Sequence, residues 1–213
     1  MKKNKSVQLN LGSGVVLAPP PFINVDKYLK FKDLKGRKGV YKNARVPKGA
    51  QFINADLIKL PFPDNYADYI ESLDVVEHIQ FHKVGNAFAE MFRVLKPGGK
   101  LGLMTPNFDD VAKQWIDTIA EKPLDSEEMV KKYFDVMEII YGNQAHDGEY
   151  HTTPFNPYFL GHILVGVGFK PENIKISIFP RGCKDWPPIK ARNMKDYKGK
   201  VFRIDEMWVE AIK

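Results

Sequence analysis

Between Val7 and Met104 the chain repeatedly sends a short apolar stretch into a glycine or a polar residue, and this rhythm leaves it few ways to fold. Val7, Leu9 and Leu11 alternate with polar neighbours and meet Gly12-Ser13-Gly14, the pattern of a half-buried strand closed by a turn. Pro19-Pro20-Pro21 excludes helix, and Phe22-Ile23-Asn24-Val25-Asp26 then reads as a second strand ending on an acid. Residues 51–56 predict a third strand, residues 69–73 a fourth after the turn Pro61-Phe62-Pro63-Asp64, and residues 100–104 a fifth. Between the last two, Val84, Phe88, Met91, Phe92 and Leu95 give residues 81–95 a helical spacing that Pro97-Gly98-Gly99 ends.

The second half is more helical. Val111, Trp115, Ile116 and Ile119 predict one helix, and Met129, Tyr133, Met137 and Ile140 another after Pro123. Both are expected to cover a pocket. Residues 158–167 predict a third helix ended by Gly168, and residues 174–178 and 201–212 two late strands. Seven strands alternating with helices imply an α/β sheet, parallel in its core, with the last pair supplying an antiparallel edge.

One domain is expected over residues 1–213, because dividing 213 residues would leave two small cores that each bury less of their surface. Apolar residues at 44% and charged residues at 27% exclude a disordered chain. No apolar run approaches the roughly 20 residues of a membrane-spanning helix, and Met1-Lys2-Lys3-Asn4-Lys5 leads into a strand pattern, so a cytoplasmic location is expected. The single cysteine, Cys183, excludes an internal disulfide and a thiolate zinc site.

The net charge of +6 is concentrated: nine cations lie between Lys27 and Lys48 against Asp33 alone. Such a run is either a solvated loop or a surface for an anionic partner. A second basic stretch, residues 184–200, leaves the same two readings open.

In doubly wound sheets a ligand sits beyond the carboxyl ends of the strands, where the strand order reverses. Glycines at Gly12-Ser13-Gly14 would let the backbone approach a ligand closely, and Asp26 could accept both hydroxyl hydrogens of a ribose. Asp56 could accept from an adenine amino group beside an apolar Leu57, or simply cap a turn. Ser72, Leu73 and Asp74, followed by Glu77-His78, reach the same rim.

Five blocks in this order resemble class I S-adenosylmethionine-dependent methyltransferases. They are Leu9-Asn10-Leu11-Gly12-Ser13-Gly14, Asp26, Leu60-Pro61-Phe62-Pro63-Asp64-Asn65, Val76-Glu77-His78-Ile79 and Arg93-Val94-Leu95-Lys96-Pro97-Gly98-Gly99. The resemblance spans about residues 7–107, and the last block is its most specific part; it implies that residues 7–107 bind the cofactor and that residues 108–213 complete the sheet and bind the acceptor. The second half, with His and Asp ahead of a helix and then Gly168-Phe169, is similar to small predicted methyltransferases linked to polysaccharide and glycan synthesis. A Rossmann-like seven-stranded sheet is implied, with S-adenosylmethionine as cofactor and Asn10, Gly12, Ser13, Gly14, Asp26, Asp56, Leu57, Ser72 and Leu73 around it. Asn10 stands where many members of the family carry an acid. The link from Gly12 to Phe22 also lacks the usual helix between the first two strands. About ten residues at roughly 3.3 Å each can retrace a short strand. The sheet face that this helix would cover is then left to be covered by something else, and a homodimer partner is one candidate.

The resemblance implies in-line transfer of a methyl group from a sulfonium to a nucleophile, with a small molecule or glycan, an anionic one included, as the expected acceptor and a hydroxyl as the expected nucleophile. A hydroxyl benefits from a general base, and histidine is the usual one near neutral pH. His151, His146 and His78 are the candidates; His146-Asp147 and Tyr150-His151 cluster late in the chain, where relatives place acceptor-binding elements. Their spacing fits no helical ligand pair, and no metal is expected. Phe155, Tyr158 and Phe159 read as a stacking wall or as core. RNA or another nucleic acid is the alternative acceptor, resting on the basic segments, although no Asp-Pro-Pro-Tyr-type motif follows strand four. A non-catalytic cofactor-binding module is the third alternative.

Overall fold

The computed structural model describes residues 6–36, 44–120, 127–145, 147–191 and 203–213. Strands β1 (Gln8–Leu11), β2 (Phe22–Asp26), β3 (Gln51–Asn54), β4 (Ala67–Leu73) and β5 (Leu95–Pro106) pair in parallel. β6 (Ile174–Phe179) and β7 (Glu206–Ile212) complete one sheet in the order β3-β2-β1-β4-β5-β7-β6. The antiparallel pairing expected at this edge is present: β7, seated between β5 and β6, runs against both. The order reverses between β1 and β4, so the chain leaves their carboxyl ends in opposite directions and opens a crevice there. Register levels the strand ends, with Leu11 opposite both Val25 and Ser72.

One face of the sheet is apolar and helix-covered. Leu9, Leu11, Ile70, Leu101, Leu103 and Val209 pack there with residues of α2 (Val84–Val94) and α5 (Pro157–Val167). On α2 the buried Val84, Ala87, Phe88, Met91 and Val94 follow helical spacing, so one stripe is apolar. Burying a side chain of the size of Phe88 contributes about 1.5–3 kcal/mol. For α5 the start is set by Asn156, whose Oδ1 accepts from Phe159 N at 2.8 Å, with Pro157 in the first turn; Gly168 ends it.

Pleating turns the alternate residues to the opposite face, where Phe22 and Tyr69 meet Ala18 and Ala191, and Leu73, Met104 and Trp208 meet Ile189. Here the sequence correctly denied a helix: β1 and β2 are joined by an extended segment whose Val16 bridges Arg45 and whose Leu17 N donates to Arg45 O at 3.0 Å. Extended cover brings backbone groups that need partners, and the strands supply them. Asn24 Oδ1 accepts from Ala18 N at 2.7 Å, and Asn24 Nδ2 donates to Ala18 O and Gln51 O. The fully buried Glu71 accepts from Lys190 N at 2.8 Å, from Ala191 N and from the Tyr69 hydroxyl. This chain's own residues 187–191 therefore lie over the face for which a second copy was an alternative.

Part of the first basic segment is folded, against the simple loop reading. α1 (Phe31–Gly36) buries Leu34 with Leu17, Leu29 and Ala44, and Phe31 stacks on Phe52 at 5.6 Å. Three shorter departures follow local chemistry. β3 stops at Asn54, before Asp56. A 3-10 turn over Phe81–Lys83 precedes α2, which stops at Val94. β5 begins at Leu95, with its Lys-Pro-Gly-Gly stretch bulging between Leu95, opposite Ala67, and Lys100, opposite Tyr69. α3 (Phe108–Ala120) and α4 (Glu127–Tyr141) form a pair beyond β5. Among the described residues no helix is long and apolar enough to cross a membrane.

Candidate active site

A cavity of about 950 Å³ opens at the carboxyl ends of the strands. Its first wall is the turn after β1. Gly12 has φ +66°, and a Cβ there would collide with the Val75 side chain, so this glycine serves the packing of two loops. Gly14, at φ +56°, has open space where its Cβ would be and lines the cavity. Asp26 Oδ2 accepts from Gly14 N at 3.1 Å, and Oδ1 from Tyr28 N and Leu29 N at 2.9 and 3.1 Å. These bonds hold the carboxylate at the rim, where β2 ends. Ser13 and Leu57 are mostly buried and also line the cavity.

Asp56 combines its two sequence readings. Its Oδ1 accepts from Ile58 N at 3.2 Å, as a turn cap does, while Oδ2 pairs with Lys27 Nζ at 2.8 Å beside the cavity. Desolvation would raise its pKa, but the bonds from Lys27 and Ile58 outweigh it and the pKa is lowered. Asn10, Ser72 and Leu73 do not reach the cavity wall. Asn10 is buried and donates its amide to Asn24 Oδ1 at 2.9 Å, on the coil-covered side of the sheet. Leu73 packs with Met104, Ile189 and Trp208, and the residue after it, Asp74, lines the cavity in its place.

At the other end stand Glu77, His78 and His151. Thr152 N and Thr153 N both donate to Glu77 O, at 2.8 and 3.1 Å, so main-chain bonds tie the loop carrying His151 to the 3-10 turn Val76–His78. Burial and then the charge of Asp74 push the Glu77 carboxyl up to about 8, against a bond at 3.0 Å from the Thr105 hydroxyl. Glu206, at the start of β7, is also raised, by burial and by Asp74, Glu77 and Asp205. His151 Nδ1 lies 2.7 Å from Ile139 O, and His78 Nδ1 lies 3.1 Å from Tyr150 O. The two rings meet edge to face at 4.7 Å between centroids, and burial lowers the pKa of His151.

Of the three histidines expected near an acceptor, His151 and His78 are together at the cavity; His146 lies outside the described residues. Glu138 and Ile139 of α4 line it as well, in keeping with a covering role for that helix. Phe155 is core, 5.7 Å from the Phe159 ring, and neither lines the cavity. Glu206 had no motif to reveal it, since pairing of β7 with β5 brings it to this rim; Thr105 follows the expected fifth strand and reaches Glu77 through the pairing of β5 with β4.

Residues 22–103 match a protein family described as a methyltransferase domain, over the stretch that builds β2 to β5 and the cavity's Asp26, Asp56 and Glu77. The likeness over residues 22–103 is to a methyltransferase domain. The match begins after the Gly12-Ser13-Gly14 turn and the helix-free link that follows it. A crystal structure of an S-adenosylmethionine-dependent methyltransferase from Archaeoglobus fulgidus shares the fold. Its TM-score is 0.57 at 16% identity, covering 99% of this chain and 87% of that one. An uncharacterized protein of Methanocaldococcus jannaschii is 30% identical over 162 residues, 73% of this chain and 60% of its own. The ubiquinone/menaquinone biosynthesis C-methyltransferase of Stutzerimonas stutzeri is 47% identical over 64 residues, 30% of this chain and 22% of its own. The chain thus spans less than two thirds of either relative.

Proposed function

We propose that this chain is a methyltransferase that transfers a methyl group from S-adenosylmethionine to a hydroxyl of a small-molecule or glycan acceptor. The observation that carries the proposal is the continuity of one cavity from Gly14, Asp26 and Asp56 to His78 and His151. At about 950 Å³ it is at the upper end of the range for ligand pockets, with room for two reactants. Asp26 keeps acceptor capacity on a carboxylate fixed by three backbone N–H groups, which suits the paired hydroxyls of a ribose. Leu57 and Asp56 would flank the adenine. The cofactor supplies the activated carbon, and the protein aligns it with the nucleophile, an effect worth about 7–11 kcal/mol at best. An acceptor oxygen also needs its proton taken or its growing charge held, and His78, His151 and Glu77 are the groups placed to do this.

Calorimetry with S-adenosylhomocysteine tests the cofactor half. The native protein should bind it, and Asp26→Ala should weaken binding at least about tenfold, or about 1.4 kcal/mol. Incubation with S-adenosylmethionine and a panel of sugar and small-molecule alcohols should then give a product heavier by one methylene. No binding by the native protein, or equal binding by the variant, sinks the proposal.

A further inference from the structure

We propose that Glu77, His78 and His151 form a binding site for a divalent transition-metal cation of the zinc or iron(II) class at the acceptor end of the cavity. One ligating atom from each residue lies within 4.8 Å of the other two. The donor set is two imidazole nitrogens and one carboxylate, which suits these cations, whereas magnesium and calcium favour oxygen alone. Ligands about 2.1 Å from a tetrahedral zinc lie about 3.4 Å apart, so the site would close by at most about 1.4 Å.

Three further features favour a ligand over a mere stack of rings. Each histidine has its Nδ1 against a backbone carbonyl, Tyr150 O for His78 and Ile139 O for His151. A carbonyl only accepts, so Nδ1 carries the proton in both and the lone pair lies on Nε2. Metal-binding histidines are oriented in this way by their outer-shell partners. The backbone bonds from Thr152 and Thr153 to Glu77 O fix the two halves of the site against each other, as a preformed site requires. Finally, Glu77 is buried beside Glu206, whose Oε2 is buried and makes no hydrogen bond. Crowded buried carboxylates call for a positive partner.

The cation's catalytic role rests on the methyl-transfer reading, though its binding does not. With three protein ligands a position stays open for the acceptor hydroxyl, whose acidity the cation raises. The hydroxyl proton passes to water and the oxygen forms a bond to the methyl carbon. The carbon–sulfur bond breaks with its electron pair going to sulfur, leaving S-adenosylhomocysteine.

The test uses the full chain without a histidine tag, stripped by a chelator and then titrated with zinc against a chromophoric chelator. A parallel titration with cobalt(II) follows the visible absorption of a low-coordinate site. One equivalent of zinc should bind, and His78→Ala and His151→Ala should each weaken it at least about tenfold. S-adenosylhomocysteine affinity, measured on the same samples, should change less than about twofold, which shows that the variants are folded. Absence of stoichiometric zinc binding, or binding that neither substitution moves, overturns the site. If the cofactor product binds and zinc does not, the metal site alone fails; if zinc binds and the cofactor product does not, the methyl-transfer reading alone fails.

Discussion

The two faces of the sheet solve the same burial problem with different chemistry. On one face α2 and α5 satisfy their backbone groups internally, so the strands beneath them can be apolar, as at Leu9, Ile70 and Leu103. On the other, extended chain at residues 17–21 and 187–191 presents unpaired N–H and C=O groups, and the strands answer with Asn10, Asn24 and Glu71. Losing a crossover helix thus has a signature inside the sheet, in the form of polar residues where the helix would have wanted apolar ones.

Phe88→Ala on the helical face should have the largest effect, a loss of about 3–5 kcal/mol in denaturant unfolding, because a fully buried ring leaves a cavity. On the coil-covered face Glu71→Leu should cost about 2–4 kcal/mol, by leaving the amides of Lys190 and Ala191 and the Tyr69 hydroxyl without their acceptor. Hydrogen exchange separates the mechanisms. After the Glu71 change the Lys190 and Ala191 amides should exchange well before the core, and uniform acceleration would break the distinction between the faces. Asn24→Ala should cost about 1–3 kcal/mol by freeing both polar groups of Ala18, and a neutral result would show that water replaces the amide.

The smallest effect belongs to a polar clasp on the helical side. Arg93 donates to Glu90 at 2.6 and 2.8 Å and to Phe62 O at 2.9 Å, and its bond to Glu90 lowers the Glu90 pKa. A lowered folded-state value means stability that is present above the unfolded pKa of about 4.3 and lost as pH falls through the folded value. Glu90→Gln should therefore cost about 1 kcal/mol at neutral pH. Thermal melts should show the gap to the native protein closing in acid, and a constant gap would remove the charge from the explanation.

Much of this architecture was legible because it is local. Strand alternation, Pro97-Gly98-Gly99 after a helical stripe and Gly168 after the third late helix each act within a few residues, and so do the glycines that place the first turn. The helix-free link could likewise be read from three prolines and a count of residues. Asn10 shows how alternation along a strand separates motif position from side-chain direction. Its place in the motif suggests the cavity, but its side chain turns to the coil-covered face, where it donates to Asn24 Oδ1.

By itself, then, the sequence determined the order of the seven strands and of the helices other than α1, and which strand ends carry Gly14, Asp26 and Asp56. The tertiary structure alone decided that residues 187–191 roof one face and that Glu206 reaches the rim. It alone set Glu77, His78 and His151 around one point. Each of these depends on pairing between segments far apart in the chain, such as Thr152 with Glu77 or β7 with β5, and residue spacing carries no record of such pairings.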